Sequence, residues 1–463
     1  MIAYREYCVF TIPRPFARFL PVRPQKTTYI TGCVRFTNIS LKKSVYCCKI
    51  VELREVCALR PVDDMLKNAQ GRVRFHMPGH KGTLDPYDMT ELASTDDLYC
   101  AEGALREAER RIAKSAGAGD AILLTGGATA GNLTMLLYAS TRYRTVDVPR
   151  TAHVSAVSGL ILGDMEVGKS DAVFVTRPDY CGHACELPKA KFLMVDEAHG
   201  AHFNWWSEPQ NAGRLGADLW VQSAHKTLPC LTGGAWLFMK DASLYPHLLH
   251  LLRMVMTSSP PFPILRSLDN ARAFMDENGA DALNSTVKLC DAFRERVNLL
   301  DGLFSPRMDD PTRLVVNVTG RGLTGFHAVS LLHEMGIDAE MGDAENVVFI
   351  ATVCDKAESF DLLVSALSRL PFGNDALISV SPAYGIPRMR PRRAALSPIE
   401  SIPLSRARGR IAARAAGLYP PGSAWLMPGD EITPEAIDAL LSAEKAGAGL
   451  FGLPGGEISV VSE

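Results

Sequence analysis

Residues 121–140, AILLTGGATAGNLTMLLYAS, pass from a short apolar run through a glycine-rich turn into a helical stretch. At such a junction a buried strand ends, the backbone turns tightly, and the first N–H groups of a helix are left without intrahelical partners. Together with about half a positive charge from the helix dipole, they form a cradle for an anion. Thr129 adds a hydroxyl donor to it. The turn lacks the lysine of a P-loop, which argues against a nucleoside triphosphate. Taken alone, the turn reads equally well as structural punctuation.

Working outward, the same alternation continues. DAVFVT (171–176), KFLMVDEA (191–198), LWVQSAHK (219–226) and GAWLFM (234–239) are apolar runs of buried-strand type. Upstream, Leu105 to Ala116 is a charged amphipathic helix closed by Gly117 and Gly119. Strands alternating with helices predict an α/β protein whose sheet is mostly parallel and covered on both faces. LVVNVTG (314–320) and NVVFIATV (346–353) predict a second, smaller α/β lobe, and the Pro/Arg-rich stretch 384–398 leads into a last module.

The chain has 463 residues, 47% hydrophobic and 22% charged, with a net charge of −2. That composition excludes wholesale disorder, and the near-neutral balance argues against a nucleic-acid binder. No apolar run reaches the length of a membrane span. The cysteines show no disulfide spacing and fit the reducing cytoplasm. Cys181 and Cys185 have no second ligand pair nearby, so no metal site is expected there. Residues 1–50 stand apart, with nine Lys/Arg and only Glu6 as an acid. They read as a poorly ordered basic extension that contributes nothing to catalysis, with a targeting segment as the alternative.

Three further stretches carry chemistry. In VDEAHGAHF (195–203), Asp196 ends an apolar strand, where open α/β sheets bind ligands. A carboxylate there is costly unless a cation faces it. His199 and His202 beside it leave a metal site or simple capping open. In SAHKTLPCLTGGA (223–235), Ser223, His225 and Lys226 crowd another strand end. The lysine either snorkels to solvent or meets a reactive carbonyl. FHMPGHKG (75–82) is a rigid Pro-Gly turn with two histidines and a lysine. The order of cradle, strand-end Asp and strand-end Ser-x-His-Lys supplies what pyridoxal phosphate needs: fixed phosphate donors, an anion for the pyridine nitrogen and an amine for the aldehyde.

With these stretches in place, the chain from about residue 57 onward resembles the ornithine/lysine/arginine decarboxylase family in its short form. The resemblance rests on FHMPGHKG, STDDLYCAEGALREAERR, LLTGGATAGN, VDEAHGAHF, QSAHKTLPCLTGGAWLF, TSSPPFPILRSLDNAR and LYPPGSAWLMPGDEIT. It implies a fold-type I, aspartate aminotransferase-like architecture with a seven-stranded sheet. The division is an extension (1–55), a cofactor-binding large domain (56–300), a small α/β lobe (301–375) and a C-terminal family module (376–463). It also implies a homodimer whose sites lie at the subunit interface; a cytoplasmic location with no metal, nucleic acid or membrane is the expectation beside it. TSSPPF (257–262) and the 75–82 loop are the expected contributors from the second subunit.

By resemblance Lys226 holds the cofactor's aldehyde, Asp196 pairs with the pyridine nitrogen, His199 lies near the phenolic oxygen, and His153 stacks on the ring. Gly127, Ala128, Thr129, Ser223 and His225 fall at phosphate-side positions, and His225 or Lys226 returns the proton to the substrate's α-carbon. The implied reaction is decarboxylation of arginine, lysine or ornithine in polyamine synthesis. Asp97, Glu102, Asp430 and Glu431 are the acids considered for a cationic substrate end. Ala128, Val154 and Tyr99 depart from the family pattern. Asp196 follows His153 by only 43 positions, as if a strand–helix segment were trimmed. Another fold-type I enzyme, a non-catalytic relative and a zinc enzyme are the alternatives.

Overall fold

The computed structural model describes residues 59–375, 380–420 and 422–462, and the basic segment 1–50 lies outside them. Two helices, α1 (Pro61–Asn68) and α2 (Ala104–Ala116), precede the sheet. The latter closes on Gly117 in the left-handed conformation. The large domain then runs β1 (Asp120–Leu124), α3 (Gly127–Ser140), β2 (Thr145–Val146), α4 (Val154–Gly163), β3 (Glu166–Val167), β4 (Ala172–Thr176), β5 (Phe192–Asp196), β6 (Leu219–Gln222), α5 (Ala224–Thr227) and β7 (Ala235–Met239).

Five strands pair in the order β1-β7-β6-β5-β4, with β7 antiparallel to both neighbours and the rest parallel. β2 pairs with β3, and a parallel bridge from Asp147 to Val173 joins that pair to β4. With this bridge the seven strands of the expected sheet form one surface. β1 and β5 are buried along their whole length. Helices cover both faces, which is why these strands read as continuous apolar runs rather than alternating ones.

One correction concerns 219–226. The strand stops at Gln222, because the next backbone groups turn inward: Lys226 N–H donates to Ser223 O, and His225 N–H donates to Gly234 O. Lys226 therefore sits on a one-turn helix instead of on the sheet.

A second feature gives the shortened stretch a physical form. Parallel strands need a crossover, usually through a helix. Between β3 and β4 the chain uses four residues, 168–171. Between β4 and β5 it uses fifteen, 177–191, with no helix among them. Leu187 from this irregular crossover packs, like the half-buried Val173 and Val175, against the large-domain core.

The two remaining units follow α6 (Tyr245–Leu252) and the 36-residue α7 (Phe262–Val297). The end of α7 contributes Cys290, Phe293 and Val297 to the small-lobe core, beside β8 (Arg313–Asn317), α8 (Gly325–Glu334), β9 (Met341–Gly342), β10 (Asn346–Ile350) and α9 (Ala357–Ser368). The C-terminal module has its own core, centred on Trp425, Leu426, Ile437 and Leu440.

Helix α3 is apolar almost all round and lies flat on β6. At Gly131 a Cβ would stand 2.4 Å from Val221 Cγ2, so only glycine allows the approach. Gly131→Ala is expected to lower unfolding free energy by ~1–3 kcal/mol through overpacking. Urea denaturation of the purified chain measures this.

Candidate active site

Register places the candidate residues together. β4, β5 and β6 are parallel, and Thr176, Asp196 and Val221 stand level across them. The segment after each strand therefore emerges at one edge: Tyr180 after β4, His199 after β5, and His225 and Lys226 after β6. β1 runs parallel to β6, since β7 is antiparallel to both, and it delivers the glycine-rich turn to the same edge. Gly127 N–H donates to Gly233 O at 2.8 Å, tying that turn to the loop after Lys226.

The lysine amine lies 3.1 Å from His199 Nε2 and 5.5 Å from the Tyr180 ring centroid. The Tyr180 and His199 rings pack with centroids 4.4 Å apart. Burial is the largest influence on Lys226 and lowers its pKa; Arg313 adds to this, while Asp196 and Glu340 oppose it. Burial, then Lys226 and Arg313, hold the His199 imidazole well below its usual range, so it is neutral.

Asp196 is buried and anchored. Asn132 Nδ2 donates to its Oδ2 at 2.7 Å, and Ala198 N–H donates to its Oδ1 at 3.1 Å. The other Asn132 proton goes to Ser155 Oγ at 2.9 Å. Ser155 Oγ is in turn 2.9 Å from His153 Nδ1, which also accepts from Ser155 N–H. Burial lowers the pKa of His153; the charge of Lys226 adds to this and that of Asp196 opposes it. From the C-terminal module Gly422 approaches the His153 ring, and Val154 N–H donates to Gly422 O.

On the other side, α3 begins at Gly126 with no side chain capping it. Its first N–H groups lie at the same edge; Thr129 is exposed there and Ala128 is buried. Ser223 is buried. His225 Nδ1 donates to Gly234 O at 3.0 Å. Burial lowers the pKa of His225, so the ring is neutral with its one proton committed to that carbonyl.

Other candidates do not join this group. His202 is buried against Asp310 Oδ1 at 3.2 Å. Burial pushes the Asp310 carboxyl up, yet the charge of His202 and its hydrogen bond outweigh this and hold it down at about 2. Among the described residues no cluster of three or more His, Cys, Asp or Glu side chains is arranged to hold a metal. Burial raises the Cys181 thiol to about 12.

The four acids considered for a cationic substrate end are occupied elsewhere or turned to solvent. Asp97 Oδ1 caps a turn at Tyr99 N–H, Asp430 is held bidentately by Arg150, Glu431 pairs with Arg388, and Glu102 is exposed. Besides Asp196, Glu340 in the small lobe is an acid whose charge reaches both Lys226 and Tyr180. Sequence reasoning passed over Glu340, Arg313, Tyr180 and Asn132. The last stands inside the glycine-rich stretch 121–140, whereas the lobe residues carry no local signal.

These features place the chain among the fold-type I pyridoxal phosphate-dependent enzymes by fold. A lysine decarboxylase from Francisella novicida superposes with a TM-score of 0.77, covering 91% of this chain and 84% of that one at 17% identity. The constitutive lysine decarboxylase of E. coli gives 0.74, with 90% and 84% covered at 17% identity. The family model for the Orn/Lys/Arg decarboxylase major domain matches residues 64–167 and 171–311, and the model for its C-terminal domain matches 383–457. The chain belongs to the Orn/Lys/Arg decarboxylase family. Arginine decarboxylases of Halalkalibacterium halodurans and Bacillus subtilis are each 28% identical over 446 residues, spanning 81% of this chain and 91% of the relative. The break in the major-domain match, 168–170, falls in the short connection between β3 and β4.

A depressed lysine has a direct readout. In the cofactor-free chain, the pH midpoint for acylation of Lys226, followed by peptide mass spectrometry, is expected below the ordinary lysine value of 10.5. Surface lysines of the same sample serve as the internal reference.

Proposed function

We propose that the protein is a pyridoxal 5'-phosphate-dependent decarboxylase that converts a basic amino acid to its amine and CO2. The observation that carries this reading is the Lys226–His199 pair at one edge of the sheet, with Asp196 fixed by Asn132 beside it, in a chain of this family. The residues present fit the cofactor. The uncapped start of α3 suits a phosphate, and the hydrogen-bonded Asp196 suits a protonated ring nitrogen. Bound there, the cofactor supplies the electron sink that accepts the bonding pair left when CO2 departs.

The chain's own residues divide the remaining work. Lys226 would hold the cofactor's aldehyde. Thr129, Ser223 and the N–H groups of Gly127 to Thr129 would hold the phosphate, with one hydroxyl fewer because residue 128 is alanine. His153 would stack on the cofactor's ring; its Nδ1 is engaged by Ser155, and Gly422 approaches its Cδ2 and Nε2. Of the two residues considered for returning a proton to the α-carbon, neutral His225 spends its only ring proton on Gly234 O, which leaves Lys226, once released and protonated, for that step. Glu340 receives the cationic end of the substrate. Arginine leads lysine and ornithine, since the relatives covering most of this chain are named arginine decarboxylases.

Purified full-length protein supplied with cofactor is expected to release CO2 and amine from at least one of arginine, lysine and ornithine, and not from neutral amino acids. Glu340→Gln is expected to raise KM for that substrate about tenfold or more, the loss of a charge-assisted contact, with a smaller change in kcat. Turnover of neutral amino acids alone rejects the substrate class.

The working form is a homodimer in the cytoplasm. Supporting it, Val73, Phe75, Met77 and Leu84 are 85%, 94%, 60% and 85% exposed in the single chain. Met77 and Pro78 line a cavity of about 240 Å³ with Ser259, Pro260 and Pro261, so the two stretches expected at a subunit interface are neighbours. An apolar surface of that kind is covered in a stable assembly. The six described cysteines are all free thiols, as a reducing compartment keeps them. Among the described residues no helix is long and apolar enough to cross a membrane. Analytical ultracentrifugation is expected to show a dimer for the native chain and dissociation for Phe75→Asp with Met77→Asp.

A further inference from the structure

We infer that Arg313 is a positioning residue: it fixes His199 as the Nε2–H tautomer, and through that ring it presents Lys226 as a neutral amine. The inference deepens the proposed function and rests on its reading of Lys226 as the residue that takes the aldehyde.

The argument is one of donors and acceptors. Arg313 Nη2 lies 3.3 Å from His199 Nδ1. A guanidinium has only donors and stays charged in proteins. The ring nitrogen facing it must therefore accept, so it carries no proton. In a neutral imidazole the proton then sits on Nε2, and Nε2 is the atom 3.1 Å from Lys226 Nζ. A ring N–H facing the amine must donate, so the amine accepts through its lone pair. Only the unprotonated lysine has one. The chain from Arg313 through His199 to Lys226 thus has a single consistent set of proton positions. It ends on the form of the lysine that attacks a carbonyl.

The packing holds Arg313 to this task. Its side chain is 1% exposed, and its Nε and Nη1 have no protein partner. Its nearest carboxylate oxygen, Asp310 Oδ2, is 4.0 Å away, at the limit of an ion pair, while Asp310 Oδ1 is engaged by His202 and Thr312. The crossover after β4 closes over it. A Cβ on Gly182 would lie 2.7 Å from Arg313 Cβ, and Asp310 N–H donates to Gly182 O at 2.9 Å. Tyr180, two residues earlier in that crossover, covers the His199 ring. A guanidinium buried with two idle nitrogens is costly, and the directed contact it keeps is with His199.

The test reads the tautomer itself and does not depend on turnover. Full-length protein labelled with ¹⁵N-histidine, without added cofactor, is examined at neutral pH by long-range ¹H–¹⁵N correlation, with His199→Gln assigning the signal. The native chain is expected to show His199 as the neutral Nε2–H form. Arg313→Lys, which keeps an obligate donor, retains that form. Arg313→Gln, whose amide oxygen can face a protonated Nδ1, gains the Nδ1–H form. An imidazolium or an Nδ1–H form in the native chain overturns the inference, as does an unchanged Nε2–H form in Arg313→Gln. A chain that gives the expected tautomers and releases no CO2 rejects the proposed function while leaving this inference standing.

Discussion

Everything in the site depends on the parallel register of β4, β5 and β6. Because Thr176, Asp196 and Val221 are level, three chain segments leave the sheet at one edge, and their first few residues are forced into contact. Shifting β5 by one residue would turn Asp196 to the opposite face, since side chains alternate along a strand. It would remove Asn132 and Ala198 from its oxygens and carry His199 away from Lys226. The apolar bodies of these strands therefore do more than fill the core. Met194, Val195, Trp220 and Val221 are buried, and their burial pins the register on which the chemistry relies.

The polar groups beneath the edge show how a charged site survives there. Asp196 is one carboxylate in a ring of groups that burial drives toward neutrality: His153, His199, His225 and Lys226 are all shifted down. Next to it Glu197 is fully enclosed, and burial raises it to about 8 even though Gln222, Arg177 and Ala212 N–H all favour its ionised form. Adjacent residues of one strand end thus differ in environment. Asp196 is held by Asn132 and Ala198 N–H, while Glu197 is tied through Gln222 into an amide network with Asn204 and Asn211.

Much of the fold was legible because long apolar runs separated by helices leave few topologies. The candidate site was legible where a chemical need maps to a local pattern: a strand-end carboxylate, a Ser-x-His-Lys turn and a glycine-rich helix start. The limits were also physical. Reading 219–226 as one strand failed because periodicity does not register where a ladder ends and a backbone N–H turns back on its own chain. Asp97, Asp430 and Glu431 looked available, but each is spent on a cap or an arginine that only the folded chain brings near. Arg313 and Glu340 belong to another lobe, more than a hundred residues from the strand ends they face, and nothing in their neighbours' sequence marks them.

The helix-free crossover from β4 to β5 has one more consequence. A crossover helix turns about 100° with each residue, so inserting or deleting one residue swings everything beyond it. Here Arg177 Nε holds Cys185 O, the Asp179 side chain holds His183, and Asp309 receives Ala184 N–H, so the part that carries Tyr180 and Gly182 is tied down at both ends. Pro188 to Ala190, beyond those ties, are exposed and have no helical phase to keep. Changes in chain length are absorbed there without rotating the residues over His199 against those on β5. The shortened chain has in this way separated the geometry of its site from the length of the segment beside it.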